Sequence, residues 1–346
     1  MSPQNEKPRR RGRPGSDWSQ VQVHVVTGKG GTGKSTVAAA LALALASRGK
    51  QVLLCEVEGR QGIAQMFDVP PLPYEERPLA HGPGHDGEPG GEVFALAIDP
   101  ESALLEYLSM YYRLGRAGKA LDKFGVIDFA TTIAPGVRDV LLTGKVYEAA
   151  QRNKRSKDAR HYDAVVLDAP PTGRISQFLN VNDELAGLAK VGPIKTQADA
   201  IMTLLRSPRT AVHLVTVLEE MPVQETADGI TELRRVGLPV GGVVMNLTRP
   251  QVLDGDAREA ALADALPLAE VGAALERVGL PADTALLDAL GAEGRDHAER
   301  RRLEDTQRAL VGALDVPSYE LTRLPDGVDL GGLYELAAQL REQGMA

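Results

Sequence analysis

Four glycines crowded into Gly28–Gly33, between a stretch that wants to be a buried strand and one that wants to be a helix, constrain this chain more than any other feature. Val21 to Val26 alternate and then run apolar, while Lys34 to Arg48 is rich in alanine and leucine and Gly49 can end it. The intervening residues fit GxxxxGK[ST], from Gly28 to Ser35. Each part has a physical task. Glycines let the backbone take positive φ, so that successive N–H groups of Gly28, Gly30, Gly31, Thr32 and Gly33 can turn toward one anion, and the new helix adds the positive end of its dipole. Lys34 then reaches terminal phosphates, Ser35 offers a hydroxyl to Mg²⁺, and Thr36 extends the cradle. The segment reads as a clamp for a nucleoside triphosphate, with ATP and Mg²⁺ as the expected cofactors.

Two later carboxylates complete the chemistry. His161 to Leu167 is a strand, apolar from Ala164 on, that delivers Asp168, followed by Ala169-Pro170-Pro171-Thr172-Gly173-Arg174. An acidic residue at the carboxyl end of such a strand is where an enzyme with this loop holds Mg²⁺, so Ser35 and Asp168 are the expected metal ligands. The prolines and Gly173 stiffen a turn able to register a γ-phosphate. Gln51 to Val57 is another strand, and the loop after it, Glu58-Gly59-Arg60-Gln61-Gly62, should lie beside the phosphate loop in a parallel sheet. Glu58 is the candidate for orienting the attacking water, with Glu56 as its competitor.

Taken together, Gly28-Lys29-Gly30-Gly31-Thr32-Gly33-Lys34-Ser35-Thr36 and Asp168-Ala169-Pro170-Pro171-Thr172-Gly173-Arg174 resemble the arsenical pump-driving and guided-entry ATPase family, the anion-transporting ATPases. Asp99-Pro100, Ala134-Pro135-Gly136-Val137, Val217-Leu218-Glu219-Glu220 with Glu225-Thr226, and Val243-Val244-Met245-Asn246 carry the likeness over roughly residues 20 to 250. The resemblance implies a dimer in which Lys29, the extra lysine of the deviant loop, reaches across to the partner's nucleotide. It also implies that Asn246 contacts adenine, and that the work done is handling a membrane-protein or anion-pump client. Departures are as informative. The family's first switch reads Asp-Pro-Ala-His-Asn, whereas this chain has Glu58-Gly59-Arg60-Gln61-Gly62, which predicts slow or altered hydrolysis. Trivalent arsenic needs several converging thiolates and Cys55 is the only cysteine, so metalloid binding within a subunit is not expected, nor is a zinc shared through Cys-x-x-Cys.

The expected architecture is an α/β, doubly wound, mostly parallel sheet (a P-loop NTPase) over residues 20–346, with an inserted helical subdomain near residues 100–155. Residues 1–19 read as a flexible tail, whose first 15 residues hold Lys7, Arg9, Arg10, Arg11 and Arg13 against Glu6 alone, in a chain whose net charge is −8. The acidic body gains nothing from DNA phosphates, and the basic tetrapeptide Arg11-Gly12-Arg13-Pro14 alone does not make DNA binding the expectation. No intrachain disulfide can form, no apolar run reaches the ~20 residues that span a bilayer, and a reduced cytoplasm fits. Pro70 to Glu92, with His81, His85 and Asp86, reads as a long exposed loop or hairpin without a metal site. Tyr107, Tyr111, Tyr112, Phe124 and Phe129 read as helical core ahead of a client groove. Ala257–Leu266, Ala282–Leu290, Arg295–Leu314 and Gly331–Arg341 read as helices and Tyr319–Leu324 as a last strand. The partner would be a second copy or a related ATPase. A chromosome-partition or division-site positioning ATPase, and a weakly hydrolysing scaffold paired with a related subunit, are the alternatives.

Overall fold

The computed structural model describes residues 18–59, 61–84, 87, 89–112, 135–152, 160–188, 193–325 and 327–346. Its strands are β1 (Val23–Gly28), β2 (Val52–Glu56), β3 (Arg77–His81), β4 (Glu92–Ala97), β5 (Ala164–Asp168), β6 (Thr210–Thr216), β7 (Val240–Thr248) and β8 (Ser318–Thr322). They form a single sheet in the order β3-β4-β2-β5-β1-β6-β7-β8. Every neighbouring pair is parallel except β3 with β4. The central strands are buried along their whole length, as expected of parallel strands covered on both faces.

The chain leaves β1 through α1 (Lys34–Ala46) toward β2, then later passes from β5 across β1 to β6, so its connections diverge at the carboxyl end of β1. In an open α/β sheet that crevice is the ligand position. One face of the sheet is covered by α1, by the short α2 (Gly62–Met66) and by α11 (Leu330–Glu342), whose Leu333, Leu336, Ala337 and Leu340 are buried against it. Helix α1 is apolar on all sides, Val37 to Ala46 being buried without a break, because it lies between the sheet and α11. The other face is covered by α4 (Pro135–Gln151), α5 (Thr172–Leu188), α6 (Pro193–Leu205) and α7 (Glu220–Arg235). Phe178, Ile175 and Leu142 anchor that layer, each fully buried apolar side chain stabilising by about 1.5–3 kcal/mol. Helix α3 (Pro100–Tyr112) begins beside β4, with Ala103 and Leu104 in the same core.

Strands β1, β2, β5 and β8 fall within a few residues of the sequence reading. Four departures stand out. The segment read as loop or hairpin contains an edge strand, β3, antiparallel to β4, with a register shift at Pro78/Ala80 where proline cannot donate to the ladder. The two helices expected over 282–290 and 295–314 are one, α10 (Thr284–Gly312), N-capped by the Asp283 side chain. Its Gly291 and Gly294 make room for Leu268 and Leu266 rather than ending the helix. Leu268 opens α9 (Leu268–Arg277), unforeseen in sequence and lying between α8 (Gly255–Leu262) and α10. Trp18, at the end of the stretch read as tail, docks on the body through its indole N–H, which donates to the Tyr319 hydroxyl at 2.9 Å. Residues 1–17, His85, Asp86, Phe124 and Phe129 and the side chains of Tyr107, Tyr111 and Tyr112 lie outside the described residues.

Candidate active site

The glycine loop runs from the end of β1 to the start of α1 and has the shape of an anion nest. Gly31 and Gly33 take φ of 89° and 84°, the left-handed region that favours glycine. Gly33 is the N-cap of α1 and supplies no side-chain acceptor, so the first amides of that helix remain available to a ligand. At Gly28 a Cβ would stand 2.2 Å from the Val215 carbonyl oxygen of β6, so the loop's base cannot carry a side chain. Thr32 closes the loop internally, its hydroxyl donating to the Lys29 carbonyl at 2.8 Å. Asn246 braces it from outside, its Nδ2 donating to the Thr32 carbonyl at 2.9 Å. That contact depends on a register shift between Met245 and Thr248, where Leu247 adopts φ 57° and Asn246 is turned inward and buried.

Asp168 is the last residue of β5, and Ser35 is in the first turn of α1. The Ser35 hydroxyl donates to Asp168 Oδ2 at 2.5 Å. Burial pushes the Asp168 carboxyl up to about 6, against the Ser35 hydrogen bond and the Lys34 charge that hold it down, with Glu56 and Glu58 raising it further. Oδ1 of Asp168 is buried without a hydrogen-bond partner. The turn beyond is tied to β1: the Thr27 hydroxyl donates to the Pro170 carbonyl at 2.7 Å, and the Ala169 amide to that of Val26 at 2.9 Å. One oxygen charge left over beside a phosphate cradle, with a hydroxyl already in contact, is a donor set that suits Mg²⁺.

The other sequence candidates lie around this centre. Glu58 is half-buried in a cleft of about 100 Å³ that it shares with Arg138, Asp139 and Arg174, where the Arg174 guanidinium stands 3.5 Å from Asp139. Lys29 forms an ion pair with Glu225 of α7 at 2.7 Å, within its own chain and partly exposed at both ends. Sequence reasoning passed over Glu56 as the lesser candidate. It is buried at the end of β2, directly beside Asp168 in the parallel register, and its Oε1 accepts the Gly62 amide at 2.9 Å. The available signal was the one used for Asp168, an acidic residue closing an apolar strand.

Sheet order, the loop at the carboxyl end of β1 and the acidic strand end beside it define a nucleotide-binding ATPase of the P-loop class. The chain belongs to the anion-transporting ATPase family, whose sequence profile matches residues 21–208. It is 51% identical to the ATPase BagA of Mycobacterium tuberculosis over 329 residues, covering 94% of each chain. It is also 27% identical to an arsenical pump-driving ATPase of Acidiphilium multivorum over 338 residues, 89% of this chain and 53% of that one. A third relative is the arsenical pump-driving ATPase of Escherichia coli, 26% identical over 292 residues, 78% of this chain and 46% of that one. This chain therefore spans about half the length of the pump-driving relatives. Among the described residues no helix is long and apolar enough to cross a membrane.

Proposed function

We propose that the protein is a Mg²⁺-dependent, nucleotide-switched ATPase that works as a dimer and couples its cycle to a membrane-protein or anion-pump client. The observation that carries the reading is the Ser35–Asp168 contact at the mouth of the glycine loop, with Asp168 Oδ1 left over. In this reading the amides of Gly28 to Gly33 and the Lys34 ammonium bind the phosphates, Ser35 and Asp168 hold Mg²⁺, and Thr36 closes the cradle's far side. Mg²⁺, when bound, neutralises charge on the phosphate oxygens. Glu58 orients water, and Asn246 sets the loop's position from beneath while its other face is offered to the base. Lys29 crosses to a partner's nucleotide after leaving Glu225. That ion pair is about one-third exposed at both ends, so its release costs less than about 1 kcal/mol.

Arsenic as the transported species does not suit this chain. Cys55 is buried inside β2 and burial pushes its thiol well up, so no thiolate is offered. The scaffold reading, a weakly hydrolysing subunit beside a related ATPase, draws support from Glu58, which stands in the Arg138–Arg174 cleft. Sedimentation of the full chain with Mg²⁺ and a non-hydrolysable ATP analogue tests the proposal. A shift from monomer to dimer that Lys29→Ala abolishes supports it. A monomer at every nucleotide concentration contradicts it.

A further inference from the structure

We propose that Glu56 is a second carboxylate of the magnesium site, standing with Asp168 in the metal's first or second sphere. This rests on the nucleotide–magnesium reading above and adds a residue to it. Glu56 closes β2 and Asp168 closes β5, and the two are direct register partners on adjacent parallel strands. Register partners project from the same face of a sheet, about 4.8 Å apart along the hydrogen-bonding direction. That is the face against which α1 packs, since Val26, the register partner of Asp168 on β1, belongs to the core built around α1. Ser35 therefore meets the pair from above.

Each carboxylate has one engaged oxygen and one that is not. Glu56 Oε1 accepts the Gly62 amide and Asp168 Oδ2 accepts the Ser35 hydroxyl. Glu56 Oε2 and Asp168 Oδ1 are both shut off from solvent and have no hydrogen-bond partner. The residues are 2% and 6% exposed, so solvent does not serve those oxygens. A buried carboxylate oxygen without a partner is costly, and two on neighbouring strands repel as well. A divalent cation removes both costs together. Packing alone does not explain a glutamate here, because the remaining β2 residues are Val52, Leu53, Leu54 and Cys55, all buried and apolar in character. Among the described residues no three His, Cys, Asp or Glu side chains are grouped as a metal cage. Two carboxylates and a hydroxyl leave the other positions to phosphate oxygens and water, which is how Mg²⁺ is usually shared between protein and nucleotide.

The test is a Mn²⁺ titration of the full chain, saturated with ADP and followed by electron paramagnetic resonance, alongside metal-free ADP affinity by calorimetry. Glu56→Gln keeps the acceptor for Gly62 and removes the charge. It is expected to weaken Mn²⁺ binding at least about tenfold, while metal-free ADP binds as well as, or better than, in the wild type. Glu232→Gln, at an exposed carboxylate paired with Arg235, is expected to change Mn²⁺ affinity less than about twofold, and Glu56→Asp to retain most of it. Should Glu56→Gln not fold, Glu58→Gln protein labelled with carboxyl-¹³C glutamate supplies the answer, through a Mn²⁺–¹³C hyperfine coupling from the remaining nearby glutamate. Unchanged Mn²⁺ affinity in Glu56→Gln, or no such coupling, overturns the assignment while ADP binding keeps the nucleotide reading intact. Failure of the wild type to bind ADP overturns both.

Discussion

Two histidines buried side by side make the stability of this protein acid-sensitive in a way that can be worked out in advance. His24 on β1 and His213 on β6 are fully buried, their rings stacked with Nδ1 of His24 3.1 Å from Nε2 of His213. The Gly242 amide donates to His213 Nδ1 at 3.0 Å. That nitrogen is thus the acceptor, His213 Nε2 carries the proton it gives to His24, and His24 Nε2 carries the one left without a partner. Both rings are neutral. Burial depresses His213 to about 3, and burial with the nearby His213 and Lys50 depresses His24 well below its usual 6.5. The folded values lie below the unfolded one, so the unfolded chain takes up protons first and the stability present above pH ~6.5 is lost as pH falls. A histidine kept neutral by folding costs RT ln(1 + 10^(6.5 − pH)), about 1.4 kcal/mol at pH 5.5 and about 2.1 kcal/mol at pH 5.0. The double variant His24→Leu/His213→Leu strands the Gly242 amide, a pH-independent loss of about 1–3 kcal/mol. Between pH 7.5 and 5.5 the wild type should nevertheless lose about 2.7 kcal/mol more than the variant by urea denaturation. Asp168 and Glu56, whose carboxyls are raised by burial, act with the opposite sign but equally in both proteins. Parallel stability profiles for the two proteins across this range would refute the neutral-pair argument.

Other consequences concern the loop and its supports. Gly33→Ala places a Cβ 2.3 Å from Asn246 Nδ2 in a left-handed backbone, which alone costs about 1–2 kcal/mol, and ATP affinity measured by calorimetry should fall at least about tenfold. Asn246→Ala removes the brace on the Thr32 carbonyl; a melting curve should show a loss of about 1–2 kcal/mol and ATP affinity should weaken, whereas a change confined to base selectivity would place its role at the adenine alone. Glu304, 4% exposed, receives Arg249 at 2.5 Å and Arg301 at 3.3 Å, so Glu304→Ala should destabilise the full chain by about 2–4 kcal/mol in chemical denaturation without altering ATP affinity.

The glycine loop was legible because its chemistry is contiguous: nine residues carry strand end, nest, lysine and hydroxyl in order. Asp168 was legible because a charge closing the apolar run Ala164–Leu167 is conspicuous. Glu56 closes its strand in the same way, but only the pairing of β2 with β5 sets it beside Asp168. The His24–His213 pair joins residues 189 apart through the adjacency of β1 and β6, which no local pattern encodes. In α10, Gly291 and Gly294 read as breaks because a glycine's use as space for Leu268 and Leu266 becomes visible only once the neighbouring helix is placed. Strand β3 carries Pro78 and lies at the sheet's edge, so it shows neither the alternation nor the apolar run of the strands within.

The measurement closest to the central claim is calorimetric titration of the wild type and Lys34→Ala with ATP in the presence of magnesium. A wild type that binds at one site per chain, with a variant weakened about 10- to 100-fold by loss of charge-assisted hydrogen bonds to phosphate, is the predicted result. A wild type that takes up no ATP, or a variant that binds it equally well, would contradict the account.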